Sequence, residues 1–440
     1  MPGFRQLSRR TFFFLCALFL LFAAVIVRSA FHQYLRSEGF NHKISAAVSH
    51  LLRAEGAFMP LHFVAGNFFS DGFAAHGNSQ AFFSELRADQ IRAAFNWRGL
   101  LHRRWQIDEL AIQQLDVRFA DERGPQPRAQ PGESHSIGRS DGWKVDLRKA
   151  QFEKSSWRWG SNQTGAGSVT GSAFTLTPGD DSWLIDASSG RVTQTGWPDL
   201  SIESARLRYT SASLFVTESV LRTGTGRITV SGEVNFRQAA DLQAQLADLP
   251  LEPLLPLDWR ARLSGKLSGT AKIHAPLSNG PIHVEGNVHL TDGQVEALPL
   301  LNQIATFTRT ERFRRMSLSK GSLSFTRDGR FTSAKDIVIE SEGLLRVEGA
   351  CTVVDDQIDG VFQIGVTAAS LQWLPGSQAR VFTIAHDGYF WTPLRLTGST
   401  AHPTEDLTPR LVAAAAGELL QNSQDAVLDT AKSILDLVPH

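Results

Sequence analysis

Two histidines, His283 and His289, have side chains that could bind a metal ion, and both fall on one face of the same predicted strand. Six residues of extended chain span about 20 Å, far more than two ligands of one metal ion can. The glycine-rich stretch Gly165–Gly171 lacks the GxGxxG spacing, and no helical pattern follows it, so it does not predict a phosphate-binding loop. We therefore expect neither a metal site nor a cofactor.

Adjacent carboxylates at Asp180–Asp181 and Asp355–Asp356 could supply acid/base catalysis, for example in glycoside hydrolysis. Both pairs lie in turn-like sequence, which favours solvated turns. Trp157 and Trp159 share one face of a predicted strand and could stack on sugars, although packing within the sheet is favoured. A carbohydrate-active enzyme remains an alternative. The main prediction is a protein that is not an enzyme.

Composition excludes several classes of protein. The 440 residues include 44 Lys and Arg against 44 Asp and Glu, so no net positive charge is available to bind nucleic acid. The two cysteines, Cys16 and Cys351, are too few for a disulfide framework. A mean hydropathy of -0.14 argues against a polytopic membrane protein but allows one membrane span.

The N-terminus carries the clearest targeting signal. Phe12–Val27 holds no charged residue, and Ser29–Phe31 completes a span if the side chain of Arg28 reaches the membrane surface. We predict a membrane anchor at 11–31. The basic tail at 1–10 would lie in the cytoplasm and the bulk of the chain on the other side of the membrane. The alternative is a cleaved signal peptide, although no A-x-A site follows the apolar run.

The next 89 or so residues, 32–120, predict an α+β segment. Apolar residues at helical spacing indicate an amphipathic helix over Asn41–Gly56. Ile91–Trp97 and Trp105–Phe119 contain strand-like alternation. The following segment, 121–142, is rich in Pro, Gly and Ser with few apolar residues, so we expect a flexible excursion.

From 143 to 403 the apolar residues recur with a period of two. Ile228–Phe236, Ile282–Leu290 and Leu345–Val353 share one pattern, in which a central glycine falls on the apolar face. That glycine predicts a bend, a bulge or a close approach of two strands. Turns are expected at Asp292–Gly293, Asp328–Gly329 and Asp355–Gln357. The fold class is therefore mainly β with a few helices, built on a curved, incompletely closed antiparallel sheet.

Two helices are predicted to interrupt or close this sheet. The first lies near 298–316 and ends in several arginines, which suits the C-terminus of a helix dipole. The second occupies most of the C-terminal segment 404–440, over Leu407–Val438. Its polar side is acidic, which favours packing over the sheet or a partner rather than over an anionic bilayer.

The sequence combines the N-terminal apolar run, the helix, the segment Ile91–Ile112, the glycine-centred strands, Leu298–Ala305 and the final strand Leu394–Pro403. This organisation resembles the AsmA-like proteins of Gram-negative envelopes, a chorein-like, bridge-like lipid transfer group. The resemblance implies an anchor in the inner membrane and a U-shaped β-groove with an apolar lining, exposed to the periplasm. It also implies a role in phospholipid movement or outer-membrane assembly.

The functional prediction is a groove that holds lipid acyl chains while headgroups stay in water. The chain has 28 Phe and 3 Tyr, which suits a groove lining with few hydroxyl groups that require hydrogen-bond partners. An ordinary hydrophobic core would favour the same composition. The expected partners are membrane phospholipids and envelope proteins. The alternative to lipid binding is an anchored scaffolding protein with a sealed core. The candidate groove residues are Ile228, Val230, Val234, Phe236, Ile282, Val284, Val288, Leu290, Leu345, Val347 and Val353.

Overall fold

The computed structural model of the chain is mainly β. It describes residues 37–64, 66–79, 81–96, 98–99, 104–120, 137–140, 143–160, 166–195, 197–255, 257–276, 280–296, 315–372, 376–414 and 416–417. The predicted tail at 1–10 and the predicted anchor at 11–31 lie outside these residues. Within them, no helix has the length and apolar character that a membrane span needs.

The chain divides into two compact units, Met1–Gly196 with Arg208–Thr210, and Trp197–Leu207 with Ser211–His440. The first contains helix α1 (Glu38–Leu52) and strands β1 (Ala54–Phe58), β2 (Leu61–Val64), β3 (Asn67–Gly77), β4 (Phe83–Asn96), β5 (Arg104–Phe119), β6 (Ile137–Ser140), β7 (Trp143–Leu147), β8 (Ala150–Trp159), β9 (Gly167–Pro178), β10 (Trp183–Ser188) and β11 (Arg191–Gln194). Strand β12 (Leu200–Tyr209) has residues of both units.

The second unit contains β13 (Ser213–Thr223), β14 (Gly226–Asn235), β15 (Ala239–Pro250), β16 (Leu263–Pro276), β17 (His283–Glu296), β18 (Arg315–Leu318), β19 (Lys320–Asp328), β20 (Phe331–Ser341), β21 (Leu345–Val354), β22 (Gln357–Thr367), β23 (Ile384–His386), β24 (Tyr389–Ser399) and β25 (Pro403–Glu405). Its short helices are α2 (Leu257–Arg260), α3 (Ala368–Leu371) and α4 (Ser377–Arg380), with a 3-10 turn at Glu252–Leu254. Residues 407–414 and 416–417 are also helical, and we call them α5.

Helix α1 begins and ends earlier than the sequence predicts. Ser37 caps it, because its hydroxyl accepts a hydrogen bond from the backbone N–H of Phe40. The helix ends at Arg53, which adopts a left-handed conformation. The prediction that Gly56 ends the helix is wrong, since Gly56 lies in β1. A Cβ there would meet the Ala75 Cβ at 2.6 Å, so close packing requires the glycine.

The sheet of the first unit is mixed, whereas the sequence predicts an antiparallel one. Strands β3, β4 and β5 pair antiparallel, and β4 and β5 confirm the two strands predicted in this region. Strand β5 then pairs in parallel with β7 and β8. The connection over 120–142 has the dozen or more residues that a parallel crossover needs. Within the predicted excursion 137–140 form β6, and 121–136 and 141–142 lie outside the described residues.

The second unit is an antiparallel meander. Each of β14 to β17 pairs with the strand before it, β17 pairs with β18 and β19, and β19 to β22 continue the order before β24 joins β22. Strands β14, β17 and β21 confirm the three glycine-centred strands. Strands β24 and β25 occupy most of the predicted final strand Leu394–Pro403.

Two of the three predicted turns in this meander are confirmed. Asp328–Gly329 connects β19 to β20, and Asp355–Gln357 connects β21 to β22. The turn predicted at Asp292–Gly293 is wrong, because β17 continues through both residues. Asp292 has a φ of 53° and lies where the register between β16 and β17 shifts, which is the geometry of a β-bulge.

The core of the second unit lies at one end of the meander, which we call the core end. Buried side chains of β17, β18, β22 and β24 meet residues of α3 and α5 there, together with Val381 and Phe382, which follow α4. Of the helix predicted near 298–316, 298–314 lie outside the described residues, and Arg315 and Met316 belong to β18. Met316 is buried in the core opposite Val295, which holds it in the sheet. In α5, Leu407 and Leu411 pack in the same core, and 418–440 lie outside the described residues.

Candidate functional site

The strand register places most of the candidate groove residues on one face of the second unit. Ile228 lies opposite Leu246, Leu246 opposite Gly269, Gly269 opposite Val288, and Val288 opposite Leu323. Residues directly opposite in a sheet share a face. This row therefore crosses five strands, β14 to β17 and β19, on one surface, which we call the apolar face.

The same face continues from β19 to β24. Val353 lies between Thr332 and Ile358, and Val347 lies between Ile339 and Ile364. Ile364 in turn lies opposite Thr392 of β24. The other candidates, Val230, Val234, Val284, Leu290 and Leu345, alternate with polar neighbours and occupy the same face. One apolar surface thus extends across the meander.

Two candidates lie beyond the strands. Phe236 follows β14 and is 43% exposed, and Ile282 precedes β17 and is 53% exposed. The chain leaves the sheet at both positions, so pairing no longer fixes the side chains on one face. Both residues lie at the end of the meander opposite the core end. We call this the turn end, because it contains the β19–β20 and β21–β22 turns.

Burial changes along and across the apolar face. Ile364, Val366 and Leu394 are buried in the core-end cluster. In contrast, Ile228, Val230, Val284, Val288 and Leu290 are only half-buried. Apolar area left in water costs about 25 cal/mol per Å², so a contiguous half-exposed apolar face is typical of an interaction surface.

The opposite face of these strands is polar. Lys272 Nζ lies 3.2 Å from Glu285 Oε1, and His274 Nδ1 lies 2.6 Å from Asp241 Oδ1. Thr270 and Asn287 also face each other across β16 and β17. The polar face is therefore suited to contact with water, whereas the apolar face is not.

Glycines shape the apolar face, as the sequence predicts. Gly232 has a φ of 140° and lies beside a register shift in β13, so a bulge occurs there. Gly286 marks a close approach instead. A Cβ on Gly286 would lie 2.3 Å from the Thr270 carbonyl oxygen and 3.0 Å from Phe325 Cε1. Gly349 similarly lies against Phe362, whose Cδ1 would be 2.6 Å from an added Cβ.

The metal and carboxylate candidates occupy ordinary structural positions. His283 Nδ1 contacts the Asp328 carboxylate at 2.5 Å, and His289 lies opposite Ser268 and Ser322 on the polar face. Asp180–Asp181 lies in the β9–β10 connection and Asp355–Asp356 in the β21–β22 turn, as predicted. Across the described ranges, no cluster of three His, Cys, Asp or Glu side chains is arranged to hold a metal ion.

The two tryptophans confirm the packing interpretation. Trp157 stacks on Phe119 with ring centroids 5.9 Å apart, and its indole N–H donates to Ser155 Oγ at 3.0 Å. Trp159 donates its indole N–H to Gln194 Oε1 at 3.0 Å. Both indole groups therefore contribute to the sheet of the first unit.

Sequence reasoning missed several members of the apolar face. Leu242, Leu246 and Ile273 line it, and the alternation of apolar and polar residues along β15 and β16 was the available signal. Cys351 also lies on it, between Ala334 and Gly360, where partial burial raises the pKa of the thiol. The thiol provides a chemical probe near the middle of the face.

Comparison with known proteins returned no match. The chain matches no family model, and neither a curated protein nor a solved structure is significantly similar to it. The geometry of the apolar face and the sequence pattern are therefore the observations that bear on function.

Proposed function

We propose that this chain is a membrane-anchored periplasmic protein of the AsmA-like type, without enzymatic activity, that holds lipid acyl chains on the apolar face of its second unit. The observation that carries the proposal is the contiguous, half-exposed apolar face of β14 to β19, for example at Val230, Val284 and Val288. We further propose that the meander forms a U-shaped β-groove open to water at the headgroups.

The proposed mechanism is the partition of acyl chains from water onto the apolar face. Each CH2 group removed from water contributes about 0.8 kcal/mol, so an acyl chain gains several kcal/mol by lying along the strands. Rows of apolar residues follow one another from β14 to β24, so neighbouring positions offer similar contacts. A chain can then slide from one row to the next without the breaking of any covalent bond. Such sliding supports phospholipid transfer or delivery during outer-membrane assembly.

The cellular setting follows from the sequence. The apolar run Phe12–Val27 would anchor the protein in the inner membrane, and Arg5, Arg9 and Arg10 would keep the N-terminus in the cytoplasm. A reporter fused after His440 should then be active only in the periplasm, and salt washing should not release the protein. Release as a soluble mature form would contradict the anchor.

Native mass spectrometry of the full-length protein, extracted in mild detergent, tests lipid binding directly. We expect co-purified phospholipid at one or more molecules per chain. The location is tested on a Cys16→Ser variant, in which Cys351 is the one remaining thiol. Phospholipid should slow alkylation of Cys351, and a headgroup fragment without acyl chains should not. Absence of bound lipid together with unchanged alkylation would contradict the proposal.

The scaffolding alternative is favoured by one observation, the sealed cluster at the core end, where Phe382 and Leu407 are almost fully buried. A scaffold without ligand predicts that the half-exposed face binds another protein or the rest of the chain. In that case Cys351 would be protected in the purified protein whether or not lipid is added.

A further inference from the structure

Among the paired residues of β14 to β24 that the structure describes on the apolar face, one is charged, Arg327 of β19. It lies opposite Val284 on one side and Thr332 on the other. The residues that precede it on the same face of β19 are Phe325, Leu323 and Gly321. A cation is thus placed at the turn end of a mainly apolar surface.

The guanidinium of Arg327 is available to a ligand. Arg327 is exposed, and its Nε–H donates to the Gly329 carbonyl oxygen at 3.2 Å, which uses one of its five N–H donors. The nearby carboxylates have other partners, since Asp328 contacts His283 and Asp355 contacts Arg330. In the described part of the chain, no carboxylate forms an ion pair with Arg327.

The length of the face beyond Arg327 suits one acyl chain. Arg327 lies six positions along β19 from Gly321, which is about 20 Å of strand. An acyl chain in one bilayer leaflet spans about 15 Å, half of the hydrocarbon core. Val284, Val288 and Leu290 run beside this path on β17, and the path leads towards the core end.

We propose that the site takes an amphiphile with an acidic phosphate or carboxylate headgroup. The headgroup lies at the turn end on Arg327, and the acyl chain runs along β17 and β19 towards the core end. A planar guanidinium pairs well with such oxyanions, and Thr332 adds a hydroxyl donor beside it. This inference rests on the proposed function and adds to it a class of headgroup and a direction of binding.

The test compares phosphatidylglycerol with diacylglycerol of identical acyl chains, because only the first carries a phosphate. Both lipids compete for the full-length protein, and native mass spectrometry reads their ratio. We expect the wild type to prefer phosphatidylglycerol about five-fold, the scale of a partly exposed ion pair. Arg327→Gln should abolish the preference and Arg327→Lys should keep most of it. Arg330→Gln, a matched change in the neighbouring turn, should leave it unchanged.

The outcomes separate the two proposals. An Arg327→Gln variant that keeps the full preference would overturn the headgroup assignment and leave acyl-chain binding intact. If the wild type binds neither lipid, the proposed function itself fails. Inorganic phosphate alone, in large excess, should displace little phosphatidylglycerol and no diacylglycerol. If it displaces phosphatidylglycerol completely, Arg327 binds a free anion and the amphiphile is the wrong ligand.

Discussion

The substitution Val288→Asp on the apolar face should weaken lipid binding much more than it weakens folding. Val288 is half-buried near the middle of β17, between Gly269 and Leu323, and its neighbour His289 is exposed on the polar face. In the free protein a carboxylate at position 288 can reach water. With an acyl chain on the strand, the same carboxylate would face hydrocarbon.

The expected magnitudes differ accordingly. A polar group that stays partly hydrated should lower the free energy of unfolding by about 1 kcal/mol. A carboxylate covered by an acyl chain should cost about 3 kcal/mol of binding free energy, which is a fall in lipid affinity of roughly 100-fold. His289→Asp places the same charge one residue away on the polar face and should change both quantities by less than about 0.5 kcal/mol.

Urea denaturation gives the stability of each variant, and titration with a fluorescent phospholipid analogue gives its affinity. Unfolding of Val288→Asp would indicate that the face is sealed by protein, as the scaffolding alternative requires. If Val288→Asp and His289→Asp both fold and bind lipid like the wild type, the reasoning about this face is refuted.

Three further predictions concern stability and aggregation. Gly286→Val should lower the free energy of unfolding of the second unit by about 2 kcal/mol or more in urea denaturation, because the added Cβ would lie 2.3 Å from the Thr270 carbonyl oxygen. A variant as stable as the wild type would contradict the close approach. Burial and the hydrogen bond from the phenol to Glu340 raise the pKa of Tyr389, so the folded state retains this proton more tightly than the unfolded state does. The stabilisation that Tyr389 provides is therefore complete below the unfolded-state pKa of about 10 and is lost as pH rises through the higher folded-state pKa. Tyr389→Phe should weaken this alkaline loss of stability. An unchanged dependence of the free energy of unfolding on pH would contradict this prediction. Deletion of 411–440 removes the buried Leu411 and should therefore increase aggregation, measured by gel filtration, with membrane attachment unchanged. A truncated protein that stays monodisperse and leaves the membrane would show that this segment is a membrane-docking element.

The strands of the second unit could be predicted because their two faces differ. Along β14, β17 and β21, apolar residues alternate with polar ones, and a period of two fixes both the strand and its buried side. The glycines at 232, 286 and 349 interrupt this pattern on one face only, which is why a bulge or close approach could be expected at each.

Features that depend on partners distant in sequence could not be predicted in the same way. Asp292–Gly293 has the composition of a turn, yet pairing with β16 and β18 keeps it inside β17 as a bulge. The parallel pairing of β5 with β8 depends on where the chain returns after a long connection. Arg327 precedes a turn sequence, and only the register with Val284 and Thr332 places it on the apolar face.

The central claim is that acyl chains lie on one face of β17, and a photo-crosslinking scan along this strand tests it most directly. A photoreactive amino acid is placed in turn at 284, 285, 287, 288, 289 and 290 of the full-length protein expressed in bacterial cells, and crosslinked lipid is detected by mass spectrometry. The account predicts lipid adducts at 284, 288 and 290, on the apolar face, and little or none at 285, 287 and 289. Adducts without this alternation, or adducts to protein alone at 284, 288 and 290, would contradict it.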